Sequence, residues 1–400
     1  MATILYFFPM NPERVKAGNE LHARNILKYF RDRNHIVDLI SSNDYWGGVV
    51  DPQDVQSLFR QGLIRNHYNL SKKPQISGFR DFIRYEIIRF IRKKLKFRKP
   101  SLSNFVTDYS KSQFTKILKA EQYDYIIVSY AFWAELIKNN RLTGAAKTII
   151  DTHDFLTAQE YAQRKIRLGA AFSEEIQRLN LFDEIWTVSS DEHYLFSQFC
   201  QKPVRLVPIC TDKKPSAPYS QPEFDLIFVG GDNPHNIKAM DWFFKQVYPL
   251  LPESIRMCLV GKITAAVSEY PNVTKIPYAE NLDRYYQASR ISICPLLSGT
   301  GTKVKVIEAL SYGLPIVCSP RGTDGLVNKR ENGCLIAEKP AEFAKAILRL
   351  LENNVFYTAI QKQAEHYHDT YHTLNNFYET LDGLIGGVGS RSSTIRLTTP

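Results

Sequence analysis

Several features that define large protein classes are absent from this sequence or scarce in it. Only six cysteines occur among 400 residues, widely spaced, with no CxxC pair and no interleaved histidines. This spacing excludes a disulfide framework and a zinc site with the usual ligand pattern. We expect buried free thiols in a reducing cytosol. The cysteines are Cys200, Cys210, Cys258, Cys294, Cys318 and Cys334.

Long apolar runs are also missing. No stretch approaches the roughly 20 apolar residues that a membrane-spanning helix needs. The opening sequence, MATILYFFPMNPERV, has no basic region ahead of its apolar residues, so it predicts a first strand and not a signal peptide. We expect a cytoplasmic protein. Peripheral attachment to the inner face of the membrane is left open by a basic segment.

Acidic residues are in the minority: the formal net charge is +10 at pH 7 and the pI is about 9.1. This balance favours an anionic partner such as a nucleotide, a phospholipid surface or a nucleic acid. Residues 78–100 hold nine basic and two acidic side chains, with apolar residues at helical spacing. They predict a basic amphipathic helix on an anionic membrane surface, or alternatively a helix packed on its own domain. Nucleic acid is disfavoured because no aromatic and basic reading surface is apparent.

Strand and helix patterns alternate through both halves of the chain, which predicts an α/β protein. We expect a first Rossmann-like domain over 1–210, a proline-rich linker over 211–222, and a second such domain over 223–384. The last helices are expected either to stay with the second domain or to cross back to the first. Residues 385–400 are expected to form a disordered tail. Ligands bind beyond the carboxyl ends of parallel strands, so we expect two parallel sheets facing across a cleft.

The first domain opens with a strand, a loop at Gly18 and Asn19, a helix and the strand HIVDLIS. The loop has no GxGxxG motif, which disfavours a dehydrogenase. Gly18 and Asn19 are predicted to approach the acceptor or a phosphate, and an ordinary turn is the alternative. Residues 43–120 do not continue the alternation and predict an insertion that contains the basic segment.

A polar cluster, Asp151-Thr152-His153-Asp154, ends the predicted strand AKTIIDTHDF. Its place at a strand end makes His153 a candidate active-site residue. A metal site is disfavoured because a second set of ligands is missing, and loop anchoring is the alternative reading of these side chains. No pair of carboxylates at the spacing of a glycosidase is evident either.

The stretch LSGTGTKVKVIEALSYGLPIVCSPRGTDGL, residues 297–326, combines a glycine loop with a predicted helix that begins near Lys303. A glycine loop at a helix N-terminus is an anion-binding site, because backbone N–H groups and the helix dipole point at one place. Lys303 and Lys305 add positive charge there, and Glu308 can accept hydrogen bonds from sugar hydroxyls. A plain loop–helix connection of an α/β domain is the alternative.

The segment from Phe224 to Glu352 resembles the C-terminal domain of group 1 (GT4-type) glycosyltransferases of the GT-B fold. The resemblance is carried by VGGDNPHNIKAMDWFFKQVYPLLP, with Gly230 and Gly231 in its first loop, and by the ordered match from YAENLDRYYQAS through residues 297–326. Over residues 1–210 it is weaker and rests on the first strand and loop, HIVDLIS, THD and FDEIWTVSSDE.

The resemblance implies a retaining transferase that needs no metal or cofactor. Its donor would be a nucleotide-diphosphate sugar of UDP or GDP type in the C-terminal domain, and its acceptor a glycan or lipid-linked molecule, within polysaccharide or glycoconjugate biosynthesis. Glu308 matches the glutamate that contacts ribose, and Gly301, Thr302 and Lys303 match the loop that contacts the diphosphate. His153 matches a histidine that faces the donor sugar near the reacting centre.

The chain departs from the family pattern at two places. Thr300 stands eight residues before the helix glutamate, where an acid is common, so the donor sugar stays open. The first glycine loop has Gly231 and Asn236 near positions where the family often has cations, and we infer that Lys303 or Lys305 neutralises the phosphates. A GT-B-fold nucleotide-sugar epimerase and a non-catalytic nucleotide-sugar-binding protein are the alternative functions.

Overall fold

The chain forms two compact units, Met1–Val207 and Pro208–Pro400. The predicted basic helix at 78–100 and the predicted tail at 385–400 lie outside the described residues, apart from residues 83 and 385. The computed structural model describes residues 1–15, 17–42, 50–73, 83, 101–215 and 222–385.

The first unit contains a sheet of seven parallel strands, which is half of the predicted α/β architecture. The strands are β1 Thr3–Phe7, β2 Ile36–Ser42, β3 Asn66–Leu70, β4 Tyr125–Ser129, β5 Lys147–Asp151, β6 Glu184–Thr187 and β7 Val204–Leu206. Their order is β3-β2-β1-β4-β5-β6-β7. The order therefore reverses between β1 and β4, which is where an open parallel sheet binds its ligands.

Helices connect these strands. They are α1 Gly18–Asp32, α2 Pro52–Arg60, α3 Asp108–Ala120, α4 Leu156–Gln163, α5 Leu168–Leu179 and α6 Ser190–Phe199, with short 3-10 helices at Ala131–Leu136 and Arg141–Thr143. Ser189 caps α6, since its side chain accepts a hydrogen bond from the Glu192 amide. α1 places its buried face, which includes Ile26, Leu27 and Phe30, against the core.

The structure corrects the prediction that residues 43–120 stand outside the strand and helix alternation. α2, β3 and α3 lie within this range, and β3 pairs in parallel with β2 at the edge of the sheet. An edge strand pairs on one side only and tolerates polar side chains. The sequence of β3, NHYNL, therefore lacks the apolar run by which the other strands are recognised.

Two predicted helices are also divided. The sequence pattern from about Gln159 to Leu179 predicts one helix, but the structure interrupts it between α4 and α5, where Arg164 has an extended backbone with φ −151° and ψ 157°. The pattern from about Asn236 to Leu251 also predicts one helix, which is regular only over Pro234–Trp242. It continues as one π-helical turn and one 3-10 turn, which carry it into the loop before the next strand.

The second unit contains a sheet of six parallel strands in the order β10-β9-β8-β11-β12-β13. Its strands are β8 Phe224–Val229, β9 Met257–Val260, β10 Val273–Ile276, β11 Ser289–Cys294, β12 Ile316–Cys318 and β13 Cys334–Ile336. Its helices are α7 Pro234–Trp242, α8 Asp283–Gln287, α9 Val304–Ser311, α10 Pro340–Glu352, α11 Asn354–Tyr371 and α12 Leu374–Ile385.

Burial explains why most strands could be recognised from sequence. β1, β4, β9 and β12 are buried almost throughout, as expected of parallel strands covered on both faces. All six cysteines are free thiols, and four of them are buried. Among the described residues, no helix is both long enough and apolar enough to cross a membrane.

Candidate functional site

Two loops of the second unit leave neighbouring strands at the same edge of the sheet. One follows β8 and begins with Gly230, and the other follows β11 and contains the predicted anion-binding residues. β8 and β11 flank the point where the strand order reverses, so both loops open into the place where such sheets bind ligands.

The loop before α9 is held in a tight form by one lysine. Gly299 and Gly301 have positive φ of 109° and 72°, which glycine adopts without strain. The Lys303 ammonium donates to the carbonyls of Gly299, Thr300 and Gly301 at 3.3, 3.0 and 2.8 Å. The structure thus shows Lys303 bonded within its own loop, where its charge stabilises the turn at the N-terminus of α9.

Thr302 completes this loop by packing on a neighbouring turn. A Cβ atom added to Gly325 would lie 2.3 Å from the Thr302 hydroxyl, so the turn at Gly325, with φ 83°, approaches the loop as closely as a glycine permits. The segment that follows β12 therefore packs against the predicted anion-binding loop.

Lys305 connects the two loops. Its ammonium donates a 2.8 Å hydrogen bond to the Asn236 side chain and lies 4.1 Å from the centroid of the Phe228 ring. Asn236 in turn donates to the Gly231 carbonyl at 3.0 Å. Burial lowers the pKa of Lys305 to about 8. The second predicted lysine therefore lies between the β8 loop and α9, and its pKa is below the ordinary value for a lysine.

Glycines allow the β8 loop to pack closely. An added Cβ at Gly230 would lie 2.8 Å from the Phe228 ring and 3.0 Å from the Asn236 amide, whereas one at Gly231 meets nothing within 4 Å. A Cβ at Gly261 would come within 2.4 Å of the Gly230 carbonyl oxygen. Packing therefore requires glycine at 230 and 261, while Gly231 is exposed.

Glu308 lies on the second turn of α9 and has a partner that the sequence analysis missed. The fully buried Tyr286 donates from its hydroxyl to Glu308 Oε2 at 3.3 Å. Burial raises the pKa of Glu308, while Tyr286 and Lys305 oppose the shift. The Tyr286 ring stacks on Tyr312 with centroids 4.8 Å apart, and Tyr312 donates to Asp283. The carboxylate is thus oriented by a tyrosine fixed in the core.

A further link joins the two loops on the exposed side. His235, at the start of α7, has its Nδ1 atom 2.8 Å from the Ser298 hydroxyl. His235 lies in the first turn of α7 and is not its N-cap. The structure assigns the cap to Asn233, whose side chain accepts from the Asn236 amide at 3.0 Å.

In the first unit, His153 lies at the carboxyl end of β5 with Asp151 and Ser129. Its Nε2 atom is 2.9 Å from Asp151 Oδ2 and 3.2 Å from the Ser129 hydroxyl. Asp151 is fully buried, and His153 is 6% exposed. The sequence-predicted histidine is therefore held by a carboxylate from its own strand.

Asn19 is brought to His153 through Tyr130, another residue that the sequence analysis missed. Asn19 donates a 2.6 Å hydrogen bond to the Tyr130 hydroxyl, and the Tyr130 ring stacks on the His153 ring with centroids 4.5 Å apart. Tyr130 and His153 both have positive φ, 67° and 59°. Gly18 is the first residue of α1. Tyr130 directly follows β4, and His153 likewise lies just after β5. The position of Tyr130 at a strand end is therefore a signal in the sequence from which it could have been found.

His22, from the buried face of α1, lies on the other side of the same carboxylate. Its Nε2 atom is 3.5 Å from Asp151 Oδ1, and its ring meets the His153 ring edge-on at 5.4 Å. Burial alone would raise the pKa of Asp151, but His153 and His22 together hold it well below its usual range. Among the described residues, no three His, Cys, Asp or Glu side chains form a metal-binding group.

Comparison with known proteins identifies the second unit. Residues 223–353 match the family described as Glycosyl transferases group 1. An uncharacterized glycosyltransferase of Haemophilus influenzae is 40% identical over 86 residues, which cover 21% of this chain and 24% of that protein. An uncharacterized 44.6 kDa protein in the cps region of Klebsiella pneumoniae is 23% identical over 386 residues, covering 88% of this chain and 92% of that protein.

Solved structures support the fold across the chain. Sucrose-phosphate synthase from Thermosynechococcus elongatus matches with a TM-score of 0.68 and 16% identity, covering 96% of this chain and 98% of that one. Anabaena HepE in complex with UDP and glucose matches with a TM-score of 0.66 and 13% identity, covering 97% and 100%. The predicted GT-B fold is confirmed. The chain is thus a glycosyltransferase of the GT-B fold, and its residues 223–353 are a group 1 glycosyltransferase domain.

Proposed function

We propose that this glycosyltransferase moves a sugar from a nucleotide-diphosphate sugar to a glycan or lipid-linked acceptor, with retention of anomeric configuration and without a required metal. The proposal depends on one observation: Glu308, Lys305 and the loop of residues 298–303 all lie where the strand order of the second sheet reverses. HepE, which has a similar fold, binds UDP and glucose. We therefore propose a UDP-sugar as the preferred candidate for the donor and a GDP-sugar as the next candidate.

The diphosphate is proposed to lie against Gly230, Gly231 and the loop Thr300–Lys303. Charge grows on the leaving β-phosphate as the glycosidic bond breaks, so donors aimed there stabilise the transition state more than the ground state. The N-terminal end of α9 supplies a positive dipole end, and Lys305 supplies a full charge below its pKa of about 8. This set of groups does the work that a metal does in other transferases.

Glu308 is proposed to accept hydrogen bonds from the ribose hydroxyls of the donor. Its Oε2 atom receives the Tyr286 hydroxyl, which leaves Oε1 and the remaining lone pair of Oε2 as acceptors. Because a carboxylate accepts two such bonds at once, the pairing discriminates ribose from deoxyribose.

The first unit is proposed to hold the acceptor and the reacting end of the donor. His153 would contact the transferred sugar, and Gly18 and Asn19, which the structure places at the start of α1, would border the acceptor. The Asn19–Tyr130–His153 contacts support a common site, because they place the start of α1 and the end of β5 together at the strand-order reversal. The Klebsiella relative, whose name places it in a cps region, supports polysaccharide or glycoconjugate biosynthesis as the setting.

Titration calorimetry with UDP and GDP tests the proposal. We expect wild type and a control, Glu342→Ala on the exposed side of α10, to bind UDP equally, and Glu308→Ala to bind about tenfold to 100-fold more weakly. EDTA should leave these affinities unchanged. If wild type binds neither nucleotide, the proposal is wrong. Release of UDP from a UDP-sugar without any acceptor would favour the epimerase alternative.

A further inference from the structure

We propose that His22 is a positioning residue for His153 and acts through the carboxylate of Asp151, which the two imidazoles share. The consequence is specific to one atom: His153 keeps its proton on Nε2 and presents Nδ1 to a hydroxyl group of the transferred sugar. This inference rests on the proposed function for the identity of the substrate. The arrangement of the three side chains is independent of it.

Distances define the arrangement. Asp151 Oδ2 lies 2.9 Å from Nε2 of His153, and Asp151 Oδ1 lies 3.5 Å from Nε2 of His22. Each carboxylate oxygen thus faces one imidazole. The histidines come from different parts of the chain, α1 and the end of β5, so the carboxylate joins two elements that meet only in the folded unit.

Burial makes this arrangement demanding. The side chains of His22 and Asp151 are 0% exposed, and that of His153 is 2% exposed. A carboxylate removed from water is costly unless hydrogen-bond donors and positive charge surround it. The Ser129 hydroxyl, 3.4 Å from Asp151 Oδ2, is the further donor. The Nε2 atom of His22 is the group that faces Oδ1, at 3.5 Å, and its loss would remove the polar partner from that side of the carboxylate.

The ring of His153 is also fixed in orientation. Tyr130 stacks on one face at 4.5 Å, and the Phe8 ring lies 5.9 Å away. A carboxylate accepts hydrogen bonds, so it selects the protonated form of the imidazole nitrogen that faces it. Nε2 is that nitrogen. Nδ1 then points away from Asp151 and is the atom through which His153 can meet a substrate hydroxyl.

Nuclear magnetic resonance reads the proton position without any substrate. The chain has nine histidines. Selective ¹⁵N labelling of histidine in wild type and in the His153→Gln and His22→Gln variants assigns the imidazole signals of His153 and His22. We expect the His153 signals of wild type to show a proton on Nε2. A His153 with bare Nε2 and a proton on Nδ1 would overturn the proposal. This outcome is independent of nucleotide binding, so it is separable from failure of the proposed function.

Two substitutions at His22 test its effect on His153. His22→Gln keeps an N–H donor near the former Nε2 position, and His22→Leu removes it. We expect His22→Leu to convert the His153 signals into a mixture of tautomers, while His22→Gln retains the wild-type pattern. His193→Gln on α6 is the matched control and should change neither pattern nor activity.

Kinetics separates positioning from folding. We expect His22→Leu to lower kcat about tenfold to 100-fold, because a small misplacement of a reacting group has effects of that size. His22→Gln should restore most of the loss, and the Kd for UDP should stay within about twofold of wild type in both variants. Wild-type kcat and an unchanged His153 spectrum in His22→Leu would contradict the proposal. If His22→Leu does not fold, the wild-type spectrum alone still decides the proton position.

Discussion

Tyr286 and Glu308, 22 residues apart in the chain, meet in a 3.3 Å hydrogen bond in the second unit. The tyrosine is buried on α8 and the glutamate points from α9, so the contact fixes one carboxylate oxygen relative to the sheet. Glu308 depends on this tyrosine for its orientation. The pair gives the proposed donor site a rigid acceptor group before any ligand arrives, which would lower the ordering cost of binding.

Removing the Tyr286 hydroxyl should weaken nucleotide binding without disturbing the fold. Tyr286→Phe keeps the ring that stacks on Tyr312 but leaves Glu308 without its donor. We expect the Kd for UDP to rise about threefold to tenfold, because hydrogen bonds to charged groups contribute about 1.5–3 kcal/mol and part is recovered from water. Calorimetry measures the change, with Tyr285→Phe as the control. An unchanged Kd would show that the hydroxyl does not orient Glu308.

The affinity for UDP should depend on pH through Lys305. Its pKa is lowered to about 8 by burial, so the ammonium is present below pH 8 and is lost above it. A diphosphate binds the ammonium more tightly than the neutral amine, and UDP affinity should therefore fall between pH 7 and pH 9.5. Binding near pH 9 should take up a proton, which calorimetry in buffers of different ionisation enthalpy detects.

Lys305→Met is the variant for this effect, and Lys345→Met on the exposed side of α10 is its control. We expect Lys305→Met to bind UDP more weakly at pH 7 and to lose the pH dependence above pH 7. If Lys305→Met and wild type show the same decline in affinity from pH 7 to pH 9.5, another group is responsible.

Adjacent glycines in the β8 loop should respond differently to alanine. At Gly230 the added methyl group meets Phe228 at 2.8 Å and Asn236 at 3.0 Å, while at Gly231 it meets nothing within 4 Å. Overpacking of this kind costs about 1–3 kcal/mol. We expect Gly230→Ala to lower the free energy of unfolding by this amount and Gly231→Ala to change it by less than about 0.5 kcal/mol. Equal losses in urea unfolding would contradict the packing described for this loop.

The fold of the second unit is largely predictable from sequence, and the reason is burial. Strands such as β8 and β9 are covered on both faces, so they appear as uninterrupted apolar runs between glycine turns. β3 was missed because an edge strand needs no such run. The helix predicted over about 159–179 is divided at Arg164, whose extended backbone is not evident from the helical sequence pattern.

The site was predictable only in part. Glu308, His153 and Lys305 each belong to a short sequence motif, whereas Tyr286, Asn236 and Tyr130, which contact them, lie more than 20 residues away in the chain. Asn19 and Tyr130 are separated by 111 residues, and buried residues such as His22 and Tyr286 look like ordinary core positions on helices. Contacts of this kind are decided by which helix face meets which strand end, and this requires the folded unit.

The use of the two lysines also required the structure. The sequence predicts that Lys303 or Lys305 neutralises the phosphates and does not distinguish between them. In the folded unit Lys303 bonds to three carbonyls of its own loop, whereas Lys305 joins α9 to Asn236. The two lysines differ because their side chains leave the start of α9 in different directions, and the conformation of the preceding loop sets these directions. We therefore propose Lys305, ahead of Lys303, as the residue that neutralises the phosphates.

The most direct test of the central claim is a comparison of UDP with 2′,3′-dideoxy-UDP on wild type and Glu308→Ala by calorimetry. If Glu308 binds the ribose hydroxyls, wild type should prefer UDP by at least about tenfold, since a site built to hydrogen-bond a hydroxyl rejects the analogue that lacks it. Glu308→Ala should bind the two nucleotides within about twofold of each other. The same preference for UDP in both proteins would contradict the placement of the donor ribose at Glu308.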